Sequence, residues 1–380
     1  MGDRAQLKVL ILSGNTGEGH NSAARAIEAG LADKNIVCET RDVLTFKSEK
    51  TSEGIAGLYS SVIKKAPKFF GVIFTLGKWY DDLRLPSPIY KSNARYADKL
   101  YEYIKENGYN CVICTHLFAM QAITAVRRKY QLAIDCYGVM TDYVIHPFVK
   151  DSDLDGYFVP SEAVAKQFMK KGFPREKLFV TGIPVHAEFS QSITKQEARE
   201  SLNLPQDKKT VVIMTGGAGC GKVAKLCKKL NKTFGDDKLF VVLTGRNEKL
   251  KAKLDAKFAD NAKFKAVEFT QETYLYLKAA DCVLSKAGGL SSTEIAVANV
   301  PLIHLKAVPG LETINLKYFS RNGLSLRANN IGQAVKRLKE FFASASCAEE
   351  IIAAQKQYIN ANATEQLINT IGEHDRDCEK

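Results

Sequence analysis

Along the chain, short runs of β-branched residues and leucine alternate with longer segments whose apolar positions recur every three to four residues. Residues 7–13, LKVLILS, form such a run, break into GNTGEGH and continue as the periodic NSAARAIEAGLADK, so the opening reads strand, tight loop, helix. IVCETRDVL predicts a second strand, and YNCVICTH and AIDCYGVMTD predict two more, separated by the helical LFAMQAITAVRRK. DGYFVPSEAVAKQFMKKGFPREKLFVTGIP repeats the pattern, with Ser161 placed to cap the helix that follows. Strand then helix, repeated, predicts a parallel sheet with helices on its faces.

After the polar AEFSQSITKQEARESLNLPQDKK the pattern restarts at TVVIMTGGAGCGKVAKLCKKLNKTFGD, again strand, glycine turn, helix. The fold class expected is α/β, two Rossmann-like domains facing each other with a ligand cleft between the carboxyl ends of their sheets. The predicted divisions are a first domain at 1–185, a linker at 186–208, a second domain at 209–330, helices at 331–372 that pack back on the core, and a polar tail at 373–380.

The 380 residues suffice for two cores at roughly 100 to 200 residues per domain. The apolar content of 45% excludes wholesale disorder. Lys plus Arg 54 against Asp plus Glu 42 leaves a charge of +12, which suits nucleic acid, an anionic small molecule or an anionic membrane surface. No nucleic-acid module is visible in the text, so that partner drops out. Nine cysteines, an odd number set mostly in apolar runs, predict free thiols in a reducing compartment. Cys111 and Cys114 form a C-x-x-C inside a strand-like run with no second pair at zinc spacing, so neither a metal nor a redox role is expected. The start lacks a signal-peptide pattern, and FFGVIFTLG at 69–77 falls short of the roughly 20 residues that cross a bilayer.

Three glycine-rich turns carry the candidate chemistry. Gly14, Gly17 and Gly19 lead to His20 at a helix start, and their spacing fits neither the dinucleotide fingerprint nor a P-loop. A helix N-terminus favours neutral imidazole, which suits a general base acting on a hydroxyl; a purely structural histidine is the alternative. MTGGAGCGK at 214–222 has the glycine spacing of a Walker motif, but Val223 stands where a hydroxyl would hold magnesium, leaving contact with a sugar or diphosphate, or a plain tight turn. In SKAGGLSSTEIAVANVPLI at 285–303, Gly288 and Gly289 permit a close turn. Leu290, Ser291, Ser292 and Thr293 then begin a helix whose free amides suit a diphosphate, with Glu294 in its first turn. KAVPGLETIN offers Glu312, Thr313 and Asn315 to sugar hydroxyls.

GNTGEGHNSAA, TDYVIHPF, FVPSE, VTGIPV, MTGGAGCG, SKAGGLSSTE and PGLETIN, in that order over about residues 7–330, resemble the glycosyltransferases that build monoglycosyldiacylglycerols in bacteria and plastids. That family comprises the monogalactosyldiacylglycerol synthases and processive diacylglycerol glucosyltransferases, relatives of the enzyme that makes peptidoglycan lipid II. The resemblance implies a GT-B fold with a helical C-terminal tail. It implies inverting transfer of a hexose from UDP-glucose or UDP-galactose to diacylglycerol, with no tightly bound cofactor and no metal at the leaving group. His20 becomes the base, with Asp142 in the catalytic set and His146 on the acceptor side; a strand-end pair that fixes its loop is the alternative for those two. On the donor side the resemblance implies Gly17, Gly216 and Gly217, with Gly288, Gly289, Leu290, Ser291 and Ser292 around the diphosphate. Glu294 would take the ribose, Glu312 and Asn315 the hexose or neighbouring phosphate, Arg246 the uridine or phosphate, and Phe269 the uracil. Three departures stand out: Ser285 and Ala287 replace the family's Thr and Pro before the double glycine, Leu311 replaces a Gln that donates to the sugar, and Phe148 replaces a Trp.

Residues 54–86 mix Phe69, Phe70, Phe74, Trp79 and Tyr80 with Lys64, Lys65, Lys68 and Lys78, a composition suited to lipid headgroups. The resemblance puts membrane-facing acceptor helices here; a core helix with snorkelling lysines is the alternative. The partners implied are a UDP-hexose, diacylglycerol or a related lipid, and the anionic inner face of the cell membrane, with the protein peripheral and cytoplasmic. Alternative activities on the same fold are a lipid II-type UDP-N-acetylglucosamine transferase, a UDP-sugar epimerase and a nonenzymatic UDP-sugar binding protein.

Overall fold

The computed structural model describes residues 6–14, 18–48, 54, 77, 87–214 and 222–377. The expected site positions Gly17, Phe69, Phe70, Phe74, Trp79, Gly216 and Gly217 lie outside the described residues. The chain forms two compact units, Met1–Ala187 with Ala361–Lys380, and Glu188–Asn360.

The first unit is a six-stranded parallel sheet of β1 (Lys8–Ser13), β2 (Val37–Asp42), β3 (Cys111–Cys114), β4 (Asp135–Val139), β5 (Gly156–Val159) and β6 (Leu178–Val180), in the order β2-β1-β3-β4-β5-β6. Its helices are α1 (Glu18–Asp33), α2 (Pro88–Asn93), α3 (Ala97–Asn107), α4 (Leu117–Tyr130) and α5 (Glu162–Lys170). The central strands are apolar along their whole length because helices cover both faces. Leu10, Leu12 and Val112 face a core with Leu100, Ile123 and Phe168, while Ile11 and Ile113 face Ile27, Leu31, Leu367 and Ile371. The last two belong to the C-terminal helix Ala363–Asp377, which packs on α1 in this unit. Ser161 occupies the N-cap of α5 but makes no capping hydrogen bond, contrary to expectation. Cys111 and Cys114 are buried strand residues that are not joined in a disulfide.

The second unit repeats the architecture with β7 (Lys209–Met214), β8 (Lys238–Gly245), β9 (Phe264–Glu268), β10 (Cys282–Ser285), β11 (Leu302–His304) and β12 (Leu326–Arg327), ordered β12-β11-β10-β7-β8-β9 and parallel throughout. Its helices are α6 (Lys195–Ser201), α7 (Val223–Thr233), α8 (Glu248–Phe258), α9 (Thr273–Ala279), α10 (Gly289–Val297), α11 (Leu311–Arg321), α12 (Ile331–Ala343) and α13 (Cys347–Tyr358). The stretch read as a linker at 186–208 thus holds α6, started by a reciprocal capping box between Thr194 and Glu197. Arg199 on α6 is 5% exposed and donates to Asp281 at 2.8 Å and to the Ala279 and Gln206 carbonyls at 3.1 Å each. Asp281 also accepts from Lys195 and the Thr210 amide, both at 2.7 Å, which welds α6 to the amino end of the sheet.

Strand order reverses direction between β1 and β3 in one unit and between β7 and β10 in the other. Such points open a crevice at the carboxyl ends of the strands, and the candidate residues follow those strands. Among the described residues no helix is long and apolar enough to cross a membrane.

Replacing Asp281 by Ala leaves Arg199 buried without its counter-charge. Urea unfolding is expected to show a loss of about 3 kcal/mol, whereas the same change at Asp98, whose pair with Lys129 is more than half exposed on both sides, leaves the urea midpoint nearly unchanged.

Candidate active site

In the first unit the site is built by the turns that follow β1, β3 and β4. Ser13 ends β1 and its hydroxyl donates to Asn21 at 2.6 Å, tying the start of α1 to the strand. His20 is the third residue of α1 and is partly buried. Its Nδ1 lies 2.9 Å from the Thr115 carbonyl oxygen and 3.0 Å from Thr141 Oγ1. A carbonyl only accepts, so Nδ1 carries the proton and Nε2 of the neutral ring holds the basic lone pair. Burial holds the His20 imidazole below its ordinary range, as does the neighbouring His146, while Asp142 and the Thr115 carbonyl act the other way.

Asp142 and His146, both largely buried, bond to each other through Oδ2 and Nε2 at 3.0 Å, and the His146 ring centroid is 6.5 Å from that of His20. The loop carrying them turns at Phe148, a non-glycine residue at φ 68°, a conformation held by the Gln121 side chain donating to the Phe148 carbonyl at 3.2 Å. A third imidazole, His116, stands edge-on to His20 with centroids 4.5 Å apart. His20, Thr115, Thr141 and His146 also line a cavity of about 10 Å³, room for a single water. The structure therefore brings together the three predicted residues His20, Asp142 and His146. Thr115, His116 and Thr141 went unassigned in the sequence reading.

In the second unit the turn after β10 leads into α10, with Gly288 as N-cap. The amides of Gly289, Leu290 and Ser291 precede the first intrahelical bond, which runs from Ser292 N to Gly288 O at 3.0 Å. Lys286 Nζ lies 3.8 Å from where a Cβ on Gly288 would be, adding an ammonium to this positive helix end. Glu312 accepts from Lys286 at 2.8 Å through one oxygen and from the Val308 amide at 2.9 Å through the other. Gly310 at φ 109° permits the turn that brings it there. Arg246, after β8, lies over the Phe269 ring at 5.0 Å; that ring, just after β9, is 51% exposed.

Residues 20–185 match the family described as monogalactosyldiacylglycerol (MGDG) synthase, and residues 210–326 match the glycosyltransferase family 28 C-terminal domain. The chain thus matches the MGDG synthase and glycosyltransferase 28 families in succession. It is 27% identical over 369 residues to the processive diacylglycerol beta-glucosyltransferase of Bacillus subtilis, covering 96% of this chain and 94% of that one. The crystal structure of Acinetobacter baumannii MurG superposes with TM-score 0.64 at 14% identity, over 97% of this chain and 99% of that chain. A UDP-N-acetylglucosamine 2-epimerase structure from Listeria monocytogenes gives 0.63 at 13% identity, over 98% of both chains. At such identities the two structures establish the shared GT-B architecture and nothing about substrate.

Several donor-side expectations for this glycosyltransferase need correction. α10 begins at Gly289, so Glu294 stands in its second turn, 8% exposed, and not in the first. Ser292 is wholly buried with its amide spent on Gly288 and its hydroxyl 2.9 Å from His304 Nε2, so it faces the core and not a diphosphate. Thr293 donates to the Gly289 carbonyl at 2.8 Å. Asn315 is 0% exposed and donates to the Ala287 carbonyl at 3.2 Å, bracing the turn from beneath instead of presenting itself to a sugar. Lys286 was visible in SKAGG as a cation beside a double glycine. His304 carried no sequence signal, since its partners Ser292 and Ser325 are 12 and 21 residues away. Among the described residues no group of three His, Cys, Asp or Glu is placed to hold a metal ion.

Burial pushes His304 down to about 3. Between that value and the ordinary 6.5 the unfolded chain binds a proton that the folded protein refuses, so stability is full above 6.5 and falls as pH drops toward 3, by up to about 1.4 kcal/mol per pH unit. Urea midpoints at pH 7.5 and 5.5 are expected to differ less in His304→Leu than in the parent, although that variant is less stable at both.

Proposed function

We propose that this glycosyltransferase moves a hexose from a UDP-sugar to the free hydroxyl of diacylglycerol with inversion at the anomeric carbon. Glucose is the favoured sugar because the curated relatives carry that activity in their names. The observation that carries the mechanism is the His20 Nδ1 contact with the Thr115 carbonyl, which leaves Nε2 as the basic nitrogen. In this reading the acceptor oxygen attacks the anomeric carbon, its proton passes to Nε2, and the bond from that carbon to the diphosphate breaks with the electron pair leaving on UDP. The amides of Gly289 to Ser291 and the Lys286 ammonium stabilise the charge that develops on the departing diphosphate. Glu312 sets the position of Lys286, and Arg246 with Phe269 forms an exposed platform suited to a uracil ring. Asp142 holds His146 beside the base on the acceptor side.

The acceptor lipid implies work at a bilayer surface. The aromatic and lysine-rich residues 54–86 are the part of the chain we assign to it, at the inner face of the cell membrane, with the +12 charge favouring anionic lipids.

Vesicles containing diacylglycerol, incubated with UDP-glucose, UDP-galactose or UDP-N-acetylglucosamine, test the reading through UDP release and lipid product. Glucosyldiacylglycerol as main product is expected; UDP release with no glycolipid would sink the acceptor assignment. His20→Ala is expected to lower kcat by roughly 100- to 10,000-fold with UDP affinity unchanged, and an unaffected rate would remove the base. Because burial holds the His20 imidazole down, the acidic limb of kcat/KM lies below 6.5 in the parent enzyme, rate being lost as pH falls and the base takes up its proton.

A further inference from the structure

The run CVICTH attracts attention through its two cysteines, yet the residue that the fold places beside the proposed base is the histidine at its end. His116 is the N-cap of α4 and is 7% exposed. Its Nδ1 accepts the Phe118 amide at 3.1 Å, so that nitrogen carries no proton and the ring is the neutral Nε2–H tautomer. A second proton would cost the helix its cap. On one side the ring stands at 86° to His20, and on another it meets Phe118 at 4.6 Å and 74°. Gly14, directly after β1, fits against it only because it lacks a side chain: a Cβ there would come within 2.8 Å of His116 Cγ and 2.9 Å of Nδ1. The residue before it, Thr115, supplies the carbonyl that holds His20 Nδ1. Gly14, a helix cap and an aromatic side chain therefore fix one imidazole against another.

We propose that His116 is a positioning residue for His20, an imidazole locked neutral by its own cap bond that walls the base, keeps it on the Thr115 carbonyl and shields that side of its ring from water. The inference rests on the reading of His20 as the base. During transfer His20 gains a proton. His116 cannot share that charge or oppose it, because its own lone pair is spent on Phe118 N–H. Among the described residues, the charged or titratable groups around His20 are then His116 from the turn after β3, Asp142 and His146 from the loop after β4, and Glu18 on its own helix, paired with Arg25 at 3.6 Å. Among the described residues the Asp142 and His146 pair is then left to respond to the new charge. Geometry held this way is what a general base requires, since small misplacements of a reacting group cost large factors in rate.

Three variants separate the ring from the cap. His116→Asn keeps a capping oxygen and removes the ring. It is expected to lower kcat roughly 10- to 100-fold, to change KM for the UDP-sugar less than about twofold, and to move the acidic limb of kcat/KM up toward the ordinary imidazole range as water reaches His20. His116→Phe keeps a ring and loses the cap acceptor, so its profile should stay nearer the parent while its Tm falls. Gly14→Ala displaces the ring from the other side and should move the profile in the same direction as His116→Asn. An unchanged rate and pH profile in His116→Asn would overturn the proposal. So would a rate loss with an unmoved profile and a lowered Tm, the mark of a merely structural residue. His20→Ala measured alongside keeps the two readings apart. If it retains activity, the base assignment fails; if it is inactive while His116→Asn behaves as parent, only the positioning role fails.

Discussion

One hydrogen bond, from His20 Nδ1 to the carbonyl of Thr115, gives the rest of the first unit its purpose. Without it the ring has no assigned tautomer, and in the proposed mechanism neither nitrogen is reserved for an incoming hydroxyl. The bond depends on β1 and β3 being neighbours in register, Val9 opposite Cys111 and Leu12 opposite Cys114, so that the turns leaving both strands meet. That register is fixed by strands apolar on both faces, which gain burial only when helices cover each side. The chain from sequence to chemistry is short here: an apolar run sets a strand, the strand sets its neighbour, and the neighbour's carbonyl sets a proton.

The second unit solves the complementary problem of holding positive charge without committing it fully. The first amides of α10 are free of intrahelical bonds, and the core packs the helix against β11 through Ser292 and His304. Asn315 fixes the Ala287 carbonyl, and Glu312 restrains Lys286 with one oxygen while closing its own loop with the other. Most polar side chains in this region serve the turn's shape. In the proposed mechanism, recognition of an anion then falls to backbone amides and one ammonium, groups whose usefulness depends on rigid placement.

Fold class was legible because its signal is local: each strand, turn and helix is written in a contiguous stretch, and the repeat of that pattern announces a parallel sheet. The double-glycine turn before α10 was legible for the same reason, and His20 drew attention because it directly follows a glycine-rich run. What the sequence could not separate was which polar residues near a turn face outward. Ser291 and Ser292 are adjacent and chemically identical, yet one is partly exposed and the other is turned onto His304, because successive helical positions differ by 100°. Asn315 reads as a polar group near a Pro-Gly turn, and only the packing of α11 against the Ala287 turn shows it buried. His116 was hidden behind its neighbours Cys111 and Cys114, since its importance arises from Gly14 and His20, about a hundred residues earlier.

The tautomer of His20 is the central claim, and long-range proton–nitrogen NMR on histidine-labelled protein at neutral pH reads it directly, with His20→Asn identifying the resonance. A protonated Nδ1 and an unprotonated Nε2 are predicted. A ring protonated at Nε2 alone, or at both nitrogens, would contradict the account.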